Sequence, residues 1–596
     1  MHMNVSDVVM EFLENKGISK IFLLSGGGIM YLLDALGKRE KLGYVCNYHE
    51  QASAIAADGY SRMNGFGVCL ATFGPGAVNA LSGVVGAWYD SIPMLVISGQ
   101  VRSNLIADYS KVRQVGPQEG NVLEMVKPVT KYAVSLRDPN KILYELEKCY
   151  KIAKSGRPGP VWLELPLDMQ SAEVVESNLL RWTDEDGKTA EHGLSEKLLQ
   201  IVTALKSAKR PVLLLGNGVR LSGMHEEMLS VIRQLQIPVL IPYTGKDLLD
   251  NQNEFSFGVF GTAGQRHANL ILQNSDLLIG MGVGFCVAKT GFETAKFAPG
   301  AYKIFVDVDH GQLNSHPLKA NLPIQMDLAD FLPAFSGALK EYAPSHEEWL
   351  NLSRNWKGKY PIIAKELFSD SGSINSYVFM SMLSERASND DVIVTGNGLD
   401  CVSFYQAFNI KKGQRAALNG NWGSMGWDIP TAIGASYATN KRVLCITGDG
   451  GVMLNIQELV GVGSERLPIK LFIFNNDGYG SIKATQDNLF ERRYVGSNPS
   501  SGVHNPEFES LAKGFKIPYF AAIEHSELGK VLDQVLEIDG PTICEIKVSP
   551  EQWITPKASS FRNAEGKLES KPLDDMFPFL PAAEIEENRR LALAVK

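Results

Sequence analysis

Short apolar runs recur along the chain, each closed by a glycine-rich turn and followed by a stretch with helical spacing. Residues 442–446 read Arg-Val-Leu-Cys-Ile and run into Gly448-Asp449-Gly450. Residues 456–460 suit a helix, and 469–474 form a second apolar run ending in Asn475-Asn476. The same grammar occurs three times. The first stretch runs from residue 5 to about 170, with strand-like 21–24 before Ser25-Gly26-Gly27-Gly28, then 67–72 and 94–98. The second begins near 194 and contains 211–215, 238–241, 276–280 and 302–308; the third spans 373–548. Strands alternating with helices predict parallel sheets, so the fold class is α/β with three Rossmann-like domains. The expected boundaries are 1–175, 190–340 and 365–550, with a tail at 551–596. The polar segments 178–193 and 343–360 are predicted as linkers. In the tail, 557–572 reads as loop and 574–580 as an apolar-acidic patch. A flap over an active site, a strap across a subunit and a disordered tail all suit it.

A length of 596 residues makes three domains the natural prior. Apolar content of 44% and charged content of 21% fit a globular protein, and no apolar run is long enough to span a membrane. A net charge of −8 gives no reason to expect a nucleic-acid partner. Seven cysteines without a CxxC pair offer no disulfide framework, which suits a reducing, cytoplasmic setting.

The strand–helix–strand unit around Gly448-Asp449-Gly450 narrows the chemistry. A right-handed crossover puts the ends of both strands on one edge of a parallel sheet, where ligands bind. Asp449 and Asn476 can then converge on one ion. A carboxylate, an amide oxygen and the backbone carbonyl of Gly478 make an all-oxygen half-shell, which suits Mg²⁺ when a phosphate completes it. Two ordinary Gly/Asn turns are the plainer alternative, and either half alone would favour it.

The motif is similar to the thiamine-diphosphate signature, and residues 1 to about 550 resemble the acetolactate (acetohydroxyacid) synthase-like family, with the members linked to surface-sugar biosynthesis nearest. The run His49-Glu50-Gln51 resembles the family's proton-transfer element. The resemblance implies that Glu50 shares a proton with the aminopyrimidine of the cofactor, buried and with a raised pKa. The run Thr72-Phe73-Gly74-Pro75-Gly76-Ala77-Val78-Asn79 resembles the loop beside the pyrimidine, which places Pro75, Asn79 and Gly26 of the first turn among cofactor-binding positions. Asn421-Trp422-Gly423-Ser424-Met425-Gly426 resembles the element in which the Gly423 carbonyl meets the 4′-amino group and Met425 wedges the cofactor into its bent form. A gap-filling core methionine is the alternative for Met425. Gly396, Asn397 and Gly398 are expected to line the diphosphate, with Gly448, Asp449, Gly450, Gly451, Asn476, Gly478 and Tyr479 around it and the metal on Asp449, Asn476 and Gly478.

Gln118-Glu119 and Lys131 match positions near the substrate, making Glu50, Gln118, Lys131 and Met425 the catalytic candidates. The pattern departs from the family at Pro117, where phenylalanine is usual, and at Thr485, which stands where a tryptophan narrows the acceptor pocket. A wider acceptor pocket follows as an expectation. In the central domain, Gly216-Asn217-Gly218, Gly261-Thr262-Ala263-Gly264, Gly282-Val283-Gly284 and Asp307-Val308-Asp309 match turns that hold FAD in acetolactate synthases, but Gly284 stands where the family has arginine. FAD, another nucleotide and no ligand all stay open.

The resemblance implies decarboxylation of a 2-oxo acid, pyruvate first, and transfer of the two-carbon unit to an acceptor carbonyl, a second 2-oxo acid or a keto-sugar. It also implies a homodimer or homotetramer whose active sites lie between subunits. Simple decarboxylation is the rival within enzymes. It is weakened because no His-His pair stands near the pyrimidine loop. Acyl-CoA chemistry is disfavoured because no basic cluster is seen that would suit a CoA diphosphate. A catalytically silent homologue is the remaining alternative, opposed by the intact Glu50, Asp449, Asn476 and Met425.

Overall fold

The computed structural model describes residues 2–183, 193–364, 367, 372–562, 565 and 568–596. Three six-stranded sheets, each wholly parallel, carry the architecture. In the first, the strands run in the order Gly43–Cys46, Lys20–Leu23, Gly67–Ala71, Met94–Gln100, Val161–Pro166, Tyr132–Ser135. The third repeats that order: Arg415–Ala417, Val392–Thr395, Val443–Gly448, Ile469–Asn475, Thr542–Lys547, Tyr519–Ala522. The central sheet differs. Its order is Ser256–Val259, Val239–Ile241, Pro211–Leu215, Leu277–Met281, Tyr302–Asp307, Leu322–Gln325, that of the dinucleotide-binding fold. The three stretches therefore share one local grammar but two topologies.

These strand orders locate the sites. In an open α/β sheet, ligands bind beyond the carboxyl ends of the strands, where the winding direction reverses. In the third sheet that point lies between Val392–Thr395 and Val443–Gly448, which pair directly. The turns Gly396-Asn397-Gly398 and Asp449-Gly450-Gly451 leave from it. In the first sheet the reversal lies between Lys20–Leu23 and Gly67–Ala71, beside the turns at Gly26 and Thr72. In the central sheet it lies between Pro211–Leu215 and Leu277–Met281.

The small residues of helix Glu50–Asn64 allow close packing between domains. Helix Asp428–Thr439 of the third domain lies against it so tightly that a Cβ on Gly434 would sit 2.0 Å from the Ala56 carbonyl oxygen. Ala52, Ala54, Ala56 and Ala57 are all fully buried.

Two expectations need correction. The segment 343–360 is not a plain linker: it holds the helix Glu347–Lys359, whose Trp349 and Trp356 are buried and meet edge to face at 5.7 Å. Sparse apolar residues hid the helix, because two large indoles supply its buried face. Part of the other predicted linker, 184–192, lies outside the described residues. Among the described residues, the tail is neither a disordered extension nor a flap over the chain's own catalytic turns. It straps the central domain and the helix that follows it. Arg266 donates to the carbonyls of Met576 and Pro578, Trp356 donates to Asn588 (3.0 Å), and the Tyr360 hydroxyl bonds Glu584 (2.7 Å). All seven cysteines are free. Among the described residues, no helix is long and apolar enough to cross a membrane.

Candidate active site

The parallel register pairs Gly448 with Phe474, so Asp449 and Asn476 leave the same sheet edge on neighbouring strands. Asp449 is 1% exposed. Its Oδ2 accepts from the backbone N–H of Gly478 (2.9 Å) and Asn476 (3.2 Å) and from the side chain of Asn505 (2.7 Å); its Oδ1 accepts from Gly450 N–H (2.7 Å). Burial pushes its carboxyl above the ordinary range, against the pull of these donors. No lysine or arginine pairs with it among the described residues. A buried carboxylate framed by dipoles and lacking a counter-charge fits a cation, so the donor set suits Mg²⁺.

The other diphosphate-side residues collect around that edge. A Cβ on Gly450 would lie 2.2 Å from the Tyr479 ring and 3.5 Å from the Met425 methyl, so the ring and the thioether flank one turn that only glycine can form. Asn397 donates to the Gly423 carbonyl at 2.6 Å, joining two predicted cofactor positions and leaving that oxygen one free lone pair. Gly398 (φ +137°) opens the helix Leu399–Ala407.

The second half of the site lies in the first domain. Glu50 starts its helix, His49 caps it by accepting from Gln51 N–H (3.1 Å), and Glu50 is 7% exposed. Asn79 donates to Glu50 Oε2 at 3.0 Å. The other oxygen faces Gly76, where a Cβ would come within 2.8 Å. Pro75 opens the helix Pro75–Asp90, and Thr72 Oγ1 accepts from Gly28 N–H (3.1 Å) where Gly26 also packs against Thr72. Pro75, Asn79, Gly26 and Glu50 are thus brought together. Gln118 joins them: its backbone sits at φ +57°, and its carbonyl presses on Gly74 so closely that a Cβ there would overlap it at 1.8 Å.

Lys131 is placed otherwise. Its ammonium donates to the carbonyls of Ile152 and Ser155 at the end of helix Ile142–Lys154, and burial lowers it to about 8. It caps a helix, so the catalytic expectation for Lys131 is replaced by a scaffold role.

Three further residues were not marked by the sequence, and a fourth, Glu119, was matched only to the neighbourhood of the substrate. Asn505 bonds Asp449, as described. Glu458, buried, accepts from Asn47 Nδ2 and Tyr48 N–H, both at 2.9 Å, and so ties the helix after the Asp449 turn to the approach to Glu50. Asp90 accepts from Arg62 (2.7 Å), Asn419 (3.0 Å) and Asn421 (2.9 Å), holding the segment that carries Gly423 and Met425 against the first domain. Glu119 clasps the loop before it: Ala107, Val115 and Gly116 all donate backbone N–H groups to its carboxylate. Burial alone would raise that carboxyl, but the donors outweigh it and hold it below the ordinary range. A charged acceptor of this kind contributes about 1.5–3 kcal/mol per bond. Glu119→Gln is therefore expected to loosen the loop that leads into Gln118 and to lower stability by about 1.5–3 kcal/mol, as read by denaturation.

The central domain carries a separate cleft of about 120 Å³ at its own switch point, lined by Asn217, Gly218, Gly284, Lys289, Asp307 and Arg157. Burial raises the Asp307 carboxyl to about 6. An acid at the end of a neighbouring strand and glycines at the turn fit a nucleotide. Nothing approaches within 4 Å of a Cβ on Gly284, so the cleft is open at that turn.

Comparison with known proteins agrees with this arrangement. Residues 3–125 match the thiamine pyrophosphate enzyme N-terminal TPP binding domain, 198–335 the central domain and 397–546 the C-terminal TPP binding domain. The acetolactate synthase isozyme 2 large subunit of Escherichia coli (strain K12) is 30% identical over 559 residues, covering 93% of this chain and 97% of its own. The acetolactate synthase large subunit of Lactococcus lactis subsp. lactis (strain IL1403) is 29% identical over 553 residues, covering 92% and 93%. A probable acetolactate synthase large subunit of Methanococcus aeolicus is 28% identical over 600 residues, covering 97% and 98%.

Proposed function

Because the chain belongs to the thiamine pyrophosphate enzyme family, as an acetolactate synthase-like transferase that uses thiamine diphosphate for carboligation, we propose that it decarboxylates pyruvate and joins the two-carbon unit to an acceptor ketone wider than a second pyruvate. Thiamine diphosphate, when bound, supplies the electron sink for losing carbon dioxide and for forming the carbon–carbon bond.

The chain's residues supply placement, proton handling and a water-poor pocket. Asp449, Asn476 and the Gly478 carbonyl would hold Mg²⁺, and the turns at Gly396–Gly398 and Gly448–Gly451 would hold the diphosphate. Glu50, fixed at one oxygen by Asn79, holds a proton at the other. Met425, beside Gly450 and Tyr479, sets the floor of the cup. Gln118, held in place by the Glu119 clasp, faces the donor acid.

One observation carries the wide acceptor. The helix Gly480–Leu489, which follows Tyr479 directly, buries no residue, and Thr485 on it is exposed. No large ring from this helix narrows the approach to the Asp449 edge, which leaves room for a keto-sugar. The direct partners of Glu50 and of Asp449 lie in separate domains, joined in this chain by the Glu458 bonds to Asn47 and Tyr48, and exposed apolar side chains stand beside both: Tyr48 at 52% and Leu454 at 43%. We therefore place the complete site between two copies of the chain. The central cleft supports a bound nucleotide, FAD being the one the family implies, with Asp307 on its ribose. A flavin spectrum from the purified protein tests this.

The functional test is carbon dioxide release from pyruvate by protein loaded with thiamine diphosphate and Mg²⁺. Slow release that accelerates when a keto-sugar is added, with ligated product, is expected. Rapid release yielding acetolactate from pyruvate alone would make the chain an ordinary acetolactate synthase and remove the wide-acceptor reading.

A further inference from the structure

Behind the turn Gly396-Asn397-Gly398, two buried carboxyls face one point. Asp400 lies in the first turn of helix Leu399–Ala407, and Asp428 opens helix Asp428–Thr439; both are buried. A Cβ on Gly396 would lie 2.5 Å from Asp400 Oδ2 and 2.8 Å from Asp428 Oδ2, so the two oxygens converge on the backbone of that turn. Neither Oδ2 has a hydrogen-bond partner among the described residues. The other oxygen of Asp428 is occupied, accepting from Ile429 N–H at 3.0 Å. The sequence does not reveal the pair, because a helix, a strand and the Met425 segment separate its members along the chain.

No opposite charge offsets the pair. Among the described residues, no lysine, arginine or histidine acts on either carboxyl. The charged groups on the elements packed against them are turned elsewhere: Asp58 and Arg62 to each other (3.0 Å), Glu458 to Asn47 and Tyr48, and Asp449 to its own cup. The thiols of Cys401 and Cys445 are the titratable neighbours, and burial with the charge of the acids pushes both up, so both stay neutral. Burial raises Asp400 to about 7, with the charge of Asp428 adding to it. Burial likewise raises Asp428 to about 6, against the pull of backbone N–H groups and the Thr447 hydroxyl.

Two carboxylates buried at one point, with no cation among their neighbours, do not both ionise. A single proton satisfies the geometry. An O–H on one Oδ2 is the donor that the other Oδ2 lacks, and a hydrogen bond to a charged acceptor is among the stronger kinds. We infer that Asp400 and Asp428 share one proton, and that this bond positions the Gly396 turn against the segment carrying Met425. The inference deepens the reading of Gly396–Gly398 as a diphosphate turn and rests on it. The turn is then tied to that segment twice. Asn397 donates to the Gly423 carbonyl (2.6 Å), and the shared proton joins the helix that the turn opens to the helix that follows Met425. Loss of the proton leaves two like charges and no donor, which pushes those helices apart. A diphosphate is itself an anion and favours the protonated pair, so cofactor and proton bind together. Asp400 and Asp428 act as positioning residues, through the turn.

The test titrates thiamine diphosphate into the full chain at fixed Mg²⁺, by calorimetry across a range of pH and in buffers of different ionisation enthalpy. From about pH 6 to about pH 8 the parent should lose about 10-fold in affinity, and at the upper end binding should take up about one proton, because the pair loses its proton as pH rises through about 7. Asp428→Asn keeps its carbonyl oxygen on the Ile429 N–H and puts an NH₂ where Oδ2 stood, a permanent donor to Asp400. Its affinity should match the parent's at about pH 6 and stay within about 2-fold across the range. Asp400→Asn should flatten the profile in the same way, since either amide can replace the proton. Asp428→Ala offers no donor and should bind about 10-fold more weakly than Asp428→Asn at every pH. Melts without cofactor give an independent reading. The fold raises these carboxyls above their ordinary 3.8, so the folded state holds the extra proton and its stability falls as pH climbs toward about 7. The parent should therefore lose Tm over that window relative to both Asn variants. Asn variants as steep as the parent, or a parent as flat as they are, would overturn the inference. Failure of all the proteins to bind thiamine diphosphate at any pH would instead remove the diphosphate reading, and the melts would still decide the shared proton.

Discussion

Replacing Glu50 by glutamine is expected to lower turnover by about 10²–10⁴-fold, the range for removing a positioned proton-transfer group. The change is nearly isosteric. Asn79 Nδ2 donates to Oε2 at 3.0 Å, and the glutamine carbonyl can take that bond. The new NH₂ would face Gly76, whose missing Cβ leaves the room it needs: a Cβ there would stand 2.8 Å from Oε1. The fold should survive, since one buried polar side chain is exchanged for another of the same shape that keeps the Asn79 bond. The loss should fall on kcat, with KM for the donor acid nearly unchanged, because the carboxyl acts on a proton and not on the substrate's binding contacts. Steady-state kinetics beside a thermal melt would check both halves. A variant with parental kcat would remove Glu50 from the proton-transfer role.

The legibility of this site followed the range of the interactions. The Asp449 edge could be read from sequence because one strand–helix–strand unit builds it, and the parallel register Gly448–Phe474 is set by apolar runs less than thirty residues apart. Glu50 was legible for a similar reason: its strand, cap and small-residue helix are contiguous. What stayed hidden depends on contacts between distant segments. Glu458 reaches Asn47 across 411 positions, and Asp90 reaches Asn421 across 331. No local spacing encodes either. Lys131 was misassigned because a lysine beside a substrate loop looks the same whether it faces the pocket or caps the helix behind it. Only the carbonyls of Ile152 and Ser155 decide between them. The tail failed for a different reason. Its sequence has the composition of a flap, but its partners are Arg266, Trp356 and Tyr360, and two of those lie in a segment whose polarity had suggested a linker. The shared grammar of the three domains also concealed that the central sheet follows another strand order, which only the pairing of Pro211–Leu215 with Leu277–Met281 discloses.

The metal edge yields a graded pair of variants with a larger combined effect. Asp449→Asn puts an amide where three donors converge: Gly478 N–H at 2.9 Å, Asn476 N–H at 3.2 Å and Asn505 at 2.7 Å. If the amide nitrogen takes the Oδ2 position, donors face a donor; if it takes Oδ1, it meets Gly450 N–H at 2.7 Å. Neither flip satisfies the cup, and the charge that would hold Mg²⁺ is gone. Loss of one partner from a buried charged set costs about 2–5 kcal/mol, so retention of thiamine diphosphate with Mg²⁺ should weaken by about 10²-fold or more. Asn505→Ala leaves the carboxylate in place and removes only its orienting bond. Loss of such an outer partner typically costs about 10–100-fold in metal affinity. Calorimetric titration of Mg²⁺ in the presence of thiamine diphosphate should therefore rank the proteins parent, Asn505→Ala, Asp449→Asn. The order matters more than either value. If Asn505→Ala bound like the parent, the bond at 2.7 Å would be incidental to the ion. If Asp449→Asn did so, the ion would be held elsewhere, and the sheet edge that first suggested this chemistry would be an ordinary turn.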